Sequence, residues 1–161
     1  MPKTTRRTFL KTATIAGAGY FVAAGTQPAI SQSANERLNV ACIGVGGKGG
    51  SDSSNAAQFG NVIAICDVDR GTLDGKGNAD RFKQAEKFLD YRELFAKHGK
   101  NIDICTISTP DHMHAPATLE AMRLGISCYT QKPLTRTIYE ARLLAEVAKT
   151  TGVCTQMGNQ G

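Results

Sequence analysis

A glycine-rich stretch directly after an apolar run is the feature that most constrains the fold of this 161-residue chain. Residues 38–50 read LNVACIGVGGKGG, in which a strand-like run breaks into the pattern G-x-G-x-x-G at the start of a candidate helix. In such a turn Gly44 permits the sharp exit from the strand, Gly46 lets backbone N–H groups approach a phosphate, and Gly49 allows the helix to lie close to the sheet. The helix N-terminus adds free N–H groups and a partial positive charge. The stretch therefore predicts a pyrophosphate-binding turn.

The second apolar run ends in a carboxylate at the spacing of a dinucleotide-binding unit. Residues 61–67 read NVIAICD, a β-branched run typical of a strand buried on both faces. Asp67 lies 18 positions after Gly49, close to the roughly 20 expected before a carboxylate that binds the adenosine ribose. A carboxylate here would repel a 2′-phosphate, which favours NAD over NADP. The alternative is that Asp67 only ends the strand as a turn residue.

Strand-like and helix-like segments alternate through the rest of the chain. Further strands are expected within 82–89 and at 102–107, 126–130 and 153–157, and helices at 51–59, 91–98 and 115–124. Residues 68–80 are interpreted as a loop with an uncertain helical part, because glycines and aspartates interrupt them. This alternation predicts an α/β fold, a doubly wound parallel sheet of strand order 3-2-1-4-5-6 that binds its ligand at the carboxyl ends of the strands.

A last helix is expected after Thr137. Thr137 and Glu140 have the spacing of a capping box, which marks a helix N-terminus. The apolar residues that follow recur at helical spacing, and they are Ile138, Ala141, Leu144, Ala145 and Ala148. We expect this stripe to lie on the sheet.

The cysteines and histidines do not form a metal-site pattern. Each of the five cysteines falls in an apolar strand run and no two have C-x-x-C spacing: Cys42, Cys66, Cys105, Cys128 and Cys154. They are interpreted as small buried hydrophobic residues, with a disulfide between the first two as the open alternative. His112 and His114 have no third ligand placed to join them, so no metal site is predicted.

The charge of the chain is concentrated before residue 36. Of the formal net charge of +5, four positive charges lie at Lys3, Arg6, Arg7 and Lys11, and no acidic residue precedes Glu36. The remainder is nearly neutral. This argues against a nucleic-acid or membrane-surface partner, since either needs a clustered basic face.

The first 34 residues show the order of charge and hydrophobicity of an export signal. Arg6 and Arg7 precede a modest apolar stretch at 13–24, and small and polar residues follow to position 34. This resembles a twin-arginine signal, with cleavage expected between Ala29 and Ala34 and a periplasmic or otherwise exported product. The apolar stretch is too short and interrupted for a stable membrane span. A basic disordered tail is the alternative. Residues 35–161 would form the dinucleotide-binding domain.

Three later motifs follow the fourth, fifth and sixth expected strands. They read TPDHMH at 109–114, YTQKPL at 129–134 and QMGNQG at 156–161. Together with the glycine turn they resemble the glucose-fructose oxidoreductase and inositol dehydrogenase family (Gfo/Idh/MocA) over residues 38–161, which implies a Rossmann fold. The resemblance implies an NAD(P) site formed by Gly44, Val45, Gly46, Gly47, Lys48, Gly49, Asp67, Thr109, Pro110, His114 and Lys132.

Lys132 is the catalytic residue that this resemblance implies. In family enzymes the lysine of a Glu-Lys-Pro motif sits by the nicotinamide and the substrate hydroxyl. An ammonium there can stabilise a developing alkoxide or relay its proton. This chain departs from the family pattern at Gln131, where a glutamate is usual. The exchange removes a charge that could orient Lys132.

The resemblance implies an NAD-dependent oxidoreductase that acts on a sugar, cyclitol or related polyol by hydride transfer. An NAD-dependent glycosidase of the same family and a non-catalytic nucleotide-binding module are the alternatives. A methyltransferase that binds S-adenosylmethionine would share the glycine turn but has no use for the Lys-Pro motif. Family enzymes continue into a second α/β domain, which supplies a catalytic histidine and often dimerises. We therefore expect residues 1–161 to be the cofactor-binding part of a longer homo-oligomeric enzyme, a fragment inactive alone.

Overall fold

The apolar runs of the sequence form the strands of one parallel sheet in a computed structural model, which describes residues 37–159. Within this range there are six strands, β1 (Asn39–Ile43), β2 (Asn61–Cys66), β3 (Glu86–Phe88), β4 (Ile104–Ile107), β5 (Ser127–Thr130) and β6 (Thr155–Met157). The helices are α1 (Gly47–Phe59), α2 (Arg70–Gly77), α3 (Tyr91–His98), α4 (Asp111–Arg123) and α5 (Ile138–Thr151). Short 3-10 turns occur at Asp80–Phe82 and Gly99–Asn101.

The strand order confirms the predicted doubly wound topology. The sheet runs β3-β2-β1-β4-β5-β6, and every neighbouring pair is parallel. The order reverses between β1 and β4, where Cys42 of β1 lies opposite Thr106 of β4. Ligands of such sheets bind at the carboxyl edge of this reversal point, because the loops leave in opposite directions and open a crevice.

Both faces of the sheet are covered. Successive residues of β1 point to opposite sides, so Val40 and Cys42 join one hydrophobic cluster and Ala41 and Ile43 join the other. The first cluster also contains Leu73 of α2. Two-sided burial explains why β1 and β2 are continuously apolar instead of alternating.

Three helices differ from the sequence expectations. The first and fourth begin four residues earlier than predicted, at Gly47 and at Asp111, so the histidines at 112 and 114 lie on a helix. The segment interpreted as a loop contains α2, whose N-cap Asp69 accepts a hydrogen bond from the backbone N–H of Thr72 at 2.6 Å. That cap and the burial of Leu73 outweigh the low helix propensity of its glycines.

The last helix begins as predicted, but the set of its residues that is buried differs from the prediction. The Thr137 hydroxyl accepts from the Glu140 N–H and the Glu140 carboxylate accepts from the Thr137 N–H, so the capping box is confirmed. The expected apolar stripe is wrong in extent. Leu144 is buried, but Ile138 is 73% exposed, and Ala141 and Ala145 are exposed too. Helix α5 contacts the core through Leu144, with Val147 and Ala148 partly buried against it.

Four of the cysteines lie in strands as predicted and are buried, whereas Cys154 precedes β6 and is exposed. The strand is only three residues long, which leaves Cys154 in the loop after α5. All five thiols are free. The predicted export signal lies outside the described residues. No helix between residues 37 and 159 has the length and apolarity needed to cross a membrane.

Candidate functional site

The glycine turn is held in shape by contacts that leave no room for a side chain. Gly44 has φ of +77°, and a Cβ added there would lie 2.5 Å from the carbonyl oxygen of Ser108. Gly49, in the first turn of α1, rests on the carbonyl group of Gly44 in the same way. The helix N-terminus therefore approaches the ends of β1 and β4 closely. Gly47 differs, because a Cβ there would meet no atom within 4 Å.

Asp67, at the end of β2, binds the turn itself. Its Oδ2 accepts hydrogen bonds from the backbone N–H groups of Val45 at 2.9 Å and Gly46 at 3.2 Å. Its Oδ1 accepts from the N–H of Asp69 at 3.0 Å. A carboxylate oxygen has two acceptor positions, so the turn occupies both positions of Oδ2, and Oδ1 can bind one further donor. Asp67 thus orders the glycine turn, and its predicted contact with a ribose hydroxyl stays a prediction.

A cavity of about 610 Å³ opens at the carboxyl edge of the sheet. Five of the residues predicted to bind the cofactor line it together, namely Gly44, Gly46, Asp67, Thr109 and Pro110. Sequence reasoning missed a second group, the lining residues Val68, Leu89, Tyr91, Arg92 and Met113. Val68 and Leu89 follow β2 and β3, so the strand-end rule could have found them, whereas the other three lie on α3 and α4. His112, which had no assigned role, lines this cavity too.

The loop after β4 carries a buried hydroxyl with no partner. The Oγ1 of Thr109 is buried and makes no hydrogen bond within residues 37–159. A buried hydroxyl left unpaired is costly, so such a group indicates a place where a polar ligand atom fits. With the open space in front of Gly47 and the carboxylate of Asp67, the residues present suit a dinucleotide.

His114 lies behind this loop and is 1% exposed. Its Nε2 is 2.7 Å from the carbonyl oxygen of Thr109, and its Nδ1 is 2.7 Å from that of Pro133. Both partners are carbonyl oxygens, which only accept, so the ring nitrogen that carries the proton donates to the carbonyl it faces. The imidazole connects the loop after β4 with the Lys-Pro segment after β5. The structure places His114 as a link between two loops rather than on the cavity surface.

Lys132 is exposed, and its neighbour Gln131 is buried. The Gln131 side chain accepts a hydrogen bond from the Lys132 backbone N–H at 3.1 Å and donates to Oδ2 of Asp52 at 2.9 Å. The same Asp52 oxygen accepts from the Ser108 hydroxyl at 2.8 Å, and its other oxygen pairs with Lys48 at 3.0 Å. One polar network thus joins α1 with the ends of β4 and β5.

Sequence reasoning missed Asp52 and Ser108. The spacing of Lys48 and Asp52, one helical turn apart, was a readable signal for their ion pair. The contact between Asp52 and Gln131 spans 79 positions and has no local signal. Within the described range no group of three or more His, Cys, Asp or Glu side chains is arranged to hold a metal ion.

Comparison with known proteins agrees with this geometry. Residues 12–159 match the family model for Gfo/Idh/MocA, described as an oxidoreductase family with an NAD-binding Rossmann fold. A glycosyl hydrolase family 109 protein of Shewanella sp. (strain MR-4) is 34% identical over 125 residues, which is 72% of this chain and 27% of that protein. One from Solibacter usitatus is 28% identical over 174 residues, covering 99% of this chain and 40% of that protein.

Two solved structures share the fold. Myo-inositol 2-dehydrogenase from Lactobacillus plantarum has a TM-score of 0.69 and 26% identity, covering 76% of this chain and 36% of that one. GenD2 from gentamicin A biosynthesis, crystallised in complex with NAD, has a TM-score of 0.68 and 26% identity, covering 83% and 37%. The chain thus spans well under half the length of these relatives. From the family match and the fold, the chain belongs to the Gfo/Idh/MocA oxidoreductase family, and its Rossmann domain binds NAD.

Proposed function

We propose that the protein containing this chain is an exported NAD-dependent oxidoreductase that acts on a sugar, cyclitol or related polyol. The observation that carries the proposal is at the carboxyl edge of the sheet, where Thr109 lines the cavity and its buried hydroxyl has no hydrogen-bond partner among residues 37–159. His114 holds the Lys132–Pro133 segment to that same loop. The buried side chain of His114 thus connects the loop that lines the cavity with the segment that carries Lys132, the candidate catalytic residue.

The residues of this chain have separable tasks in such a reaction. Bound NAD would supply the hydride acceptor. The N–H groups at the start of α1 suit its pyrophosphate, because they are unpaired in the helix and carry its partial positive charge. Asp67 holds the turn through Oδ2 and retains one acceptor position, on Oδ1, for a ribose hydroxyl. As hydride passes to NAD, the hydroxyl proton would pass to water or to a base, and the ammonium of Lys132 would stabilise the negative charge on the substrate oxygen.

Replacement of Lys132 tests the catalytic assignment. In the protein at its full natural length, Lys132→Ala should lower kcat for polyol oxidation by about 10²- to 10⁴-fold, the usual contribution of a proton-transfer group. NAD affinity should fall much less than kcat, by about ten-fold at most, because the contacts of the glycine turn are unchanged. Lys100→Ala, an exposed lysine in the turn before β4, is the control. Normal turnover after loss of Lys132, or unchanged biological activity, would favour a nucleotide-binding module.

A glycosidase that uses NAD for transient oxidation is the second candidate. The observation that favours it is that the two curated relatives named above are glycosyl hydrolase family 109 proteins. The two activities differ in their products. An oxidoreductase accumulates NADH when mixed with a free polyol, whereas a glycosidase releases nitrophenol from a nitrophenyl glycoside with no net NADH. The same purified protein should be assayed both ways.

Export by the twin-arginine route is part of the proposal and rests on the order of residues 5–34. Replacing both Arg6 and Arg7 with lysine keeps the charge but removes the paired arginines. We expect this variant to stay in the cytoplasmic fraction while the wild type appears in the periplasm with a shortened N-terminus. Equal distribution of the two proteins would contradict the assignment.

A further inference from the structure

The departure of this chain from the family motif, Gln131, has a direct structural partner. Gln131 is 4% exposed, and two hydrogen bonds of different kinds orient its amide. Oε1 accepts from the backbone N–H of Lys132, and Nε2 donates to the carboxylate of Asp52 on α1. Asp52 is 7% exposed and accepts from Ser108 as well. In both hydrogen bonds of the Gln131 amide a donor thus faces an acceptor.

The third motif of the sequence closes the other side of the amide. Gly158, directly after β6, is buried, and a Cβ there would lie 2.8 Å from both Nε2 and Oε1 of Gln131. The hydroxyl of Tyr129 is also 2.8 Å from that position and 3.4 Å from Nε2. The absence of a side chain at Gly158 thus leaves the space that the amide fills. The glycine-turn helix, the Lys-Pro segment and the Met-Gly-Asn segment meet at this one group.

A glutamate at position 131 would fit these surroundings poorly. It could still accept from the Lys132 N–H, but its other oxygen would face the carboxylate of Asp52 at hydrogen-bond distance. Two carboxylates this close in a buried site cannot both be ionised without a large cost. The family pattern of an acid at 131 therefore conflicts with an acid at 52 in this chain.

We propose that Asp52 and Gln131 form a matched carboxylate–amide pair that positions the backbone of Lys132 against the glycine-turn helix. Family members usually carry a glutamate before the lysine, and in this chain the carboxylate is instead on α1, at Asp52. Gln131 is therefore a positioning residue of an intact site, and the motif has not lost its function through the exchange of glutamate for glutamine. The inference rests on the proposed role of Lys132 beside the nicotinamide.

The charged and titratable groups around the amide set the expected pH behaviour. On α1 these are Asp52 and, paired with it, Lys48; Tyr129 comes from β5 and Lys132 from the adjoining loop. In a Gln131→Glu variant the new carboxyl group would lie against the carboxyl group of Asp52. Their mutual repulsion raises the pKa at which the pair loses its last proton. Once protonated, that carboxyl can donate a hydrogen bond as the amide does. The defect of this variant should therefore fade as the pH falls.

The test compares four full-length proteins by the Kd of NAD and of ADP-ribose, which lacks the nicotinamide. They are the wild type, Gln131→Glu, Asp52→Asn and the double variant, with Gln84→Glu, an exposed glutamine in the turn before β3, as the matched control. At about pH 8, Gln131→Glu should weaken NAD binding about ten-fold or more and ADP-ribose binding by less than about three-fold. Towards about pH 5.5 its NAD affinity should approach that of the wild type.

The double variant exchanges the carboxylate and the amide and should restore NAD affinity to within about three-fold at about pH 8. Three results would overturn the inference: unchanged NAD affinity in Gln131→Glu, equal losses for NAD and ADP-ribose, or no recovery in the double variant. A wild type that binds neither ligand would instead refute the proposed function. If Gln131→Glu does not fold, Gly158→Ala displaces the same amide. It should weaken NAD selectively at every pH, and equal binding by this variant would also count against the pair.

Discussion

Replacing Gly49 with alanine tests the central claim about the glycine turn, that α1 reaches the sheet only because this position has no side chain. The new Cβ would overlap the carbonyl oxygen of Gly44, lie 2.8 Å from its carbonyl carbon and come within 3.1 Å of the Ser108 Cβ. Two of these three neighbours are backbone atoms, which cannot rotate away. The helix must therefore move outward from the ends of β1 and β4.

The size of the effect follows from three contributions. Overpacking of a tight contact costs about 1–3 kcal/mol. An outward shift of the turn also strains the hydrogen bonds from Val45 and Gly46 to the Asp67 carboxylate, and losing one bond to a charged group costs about 1.5–3 kcal/mol. Alanine regains about 1 kcal/mol of helix propensity. The expected net loss is about 2–4 kcal/mol in the free energy of unfolding.

Urea unfolding of the domain, followed by far-UV circular dichroism, measures this loss, and NAD titration measures its effect on the site. Gly75→Ala is the matched control, because Gly75 also lies in a helix but a Cβ there meets no atom within 4 Å. The control should gain about 0.5–1 kcal/mol. NAD affinity should fall at least about ten-fold in the Gly49 variant and stay unchanged in the control. Equal stability and affinity of the two variants would refute the close-approach argument.

Three further predictions concern the supports of the site and of the core. His114→Ala should cost about 2–4 kcal/mol in urea unfolding, because it leaves a buried hole and removes the ring that contacts two backbone carbonyls. His112→Ala, at an exposed position of α4, should cost under about 1 kcal/mol. Thr137→Ala should destabilise the domain by about 1 kcal/mol through loss of the capping box, and Thr137→Ser should restore it. Iodoacetamide at about pH 8 should label Cys154 in the native protein and spare the other four cysteines until denaturant is added. Burial raises the pKa of the thiols of Cys42, Cys66 and Cys128 to about 11, 12 and 12, so these thiols should not react in the native protein. Peptide mapping locates the label, and labelling of any of the three before denaturant is added would contradict their burial.

Much of the fold was readable because its signals are local. A short, β-branched run such as residues 61–66 favours a strand, and a strand that is apolar on both faces can bury them only inside a covered sheet. Once the runs alternate with helices, the right-handed crossover rule leaves few possible strand orders. The capping box at Thr137 and Glu140 involves four consecutive residues, so its geometry is set by the sequence alone.

The errors have a common physical origin. Helix α2 contains three glycines, and the Asp69 N-cap and the burial of Leu73 stabilise it. The apolar spacing in α5 does not say which of its residues other elements will cover. In the structure Leu144 is covered and Ile138 is exposed to solvent. Cys154 was assigned to a strand whose length is set by pairing with β5, not by its own residues. In each case tertiary contacts outweighed local propensity.

The sequence by itself determined the strand runs, the glycine turn and the identity of the cofactor, because backbone sterics and local hydrogen bonding are encoded over short spans. It could present Gln131 only as a departure from a family motif. Tertiary structure decided what that departure means, since Asp52 and Gly158 reach the same amide from helices and strands far apart in the chain. It likewise decided that Asp67 binds the turn and that His114 links two loops. Such contacts depend on the packing of whole elements, and no local pattern specifies them.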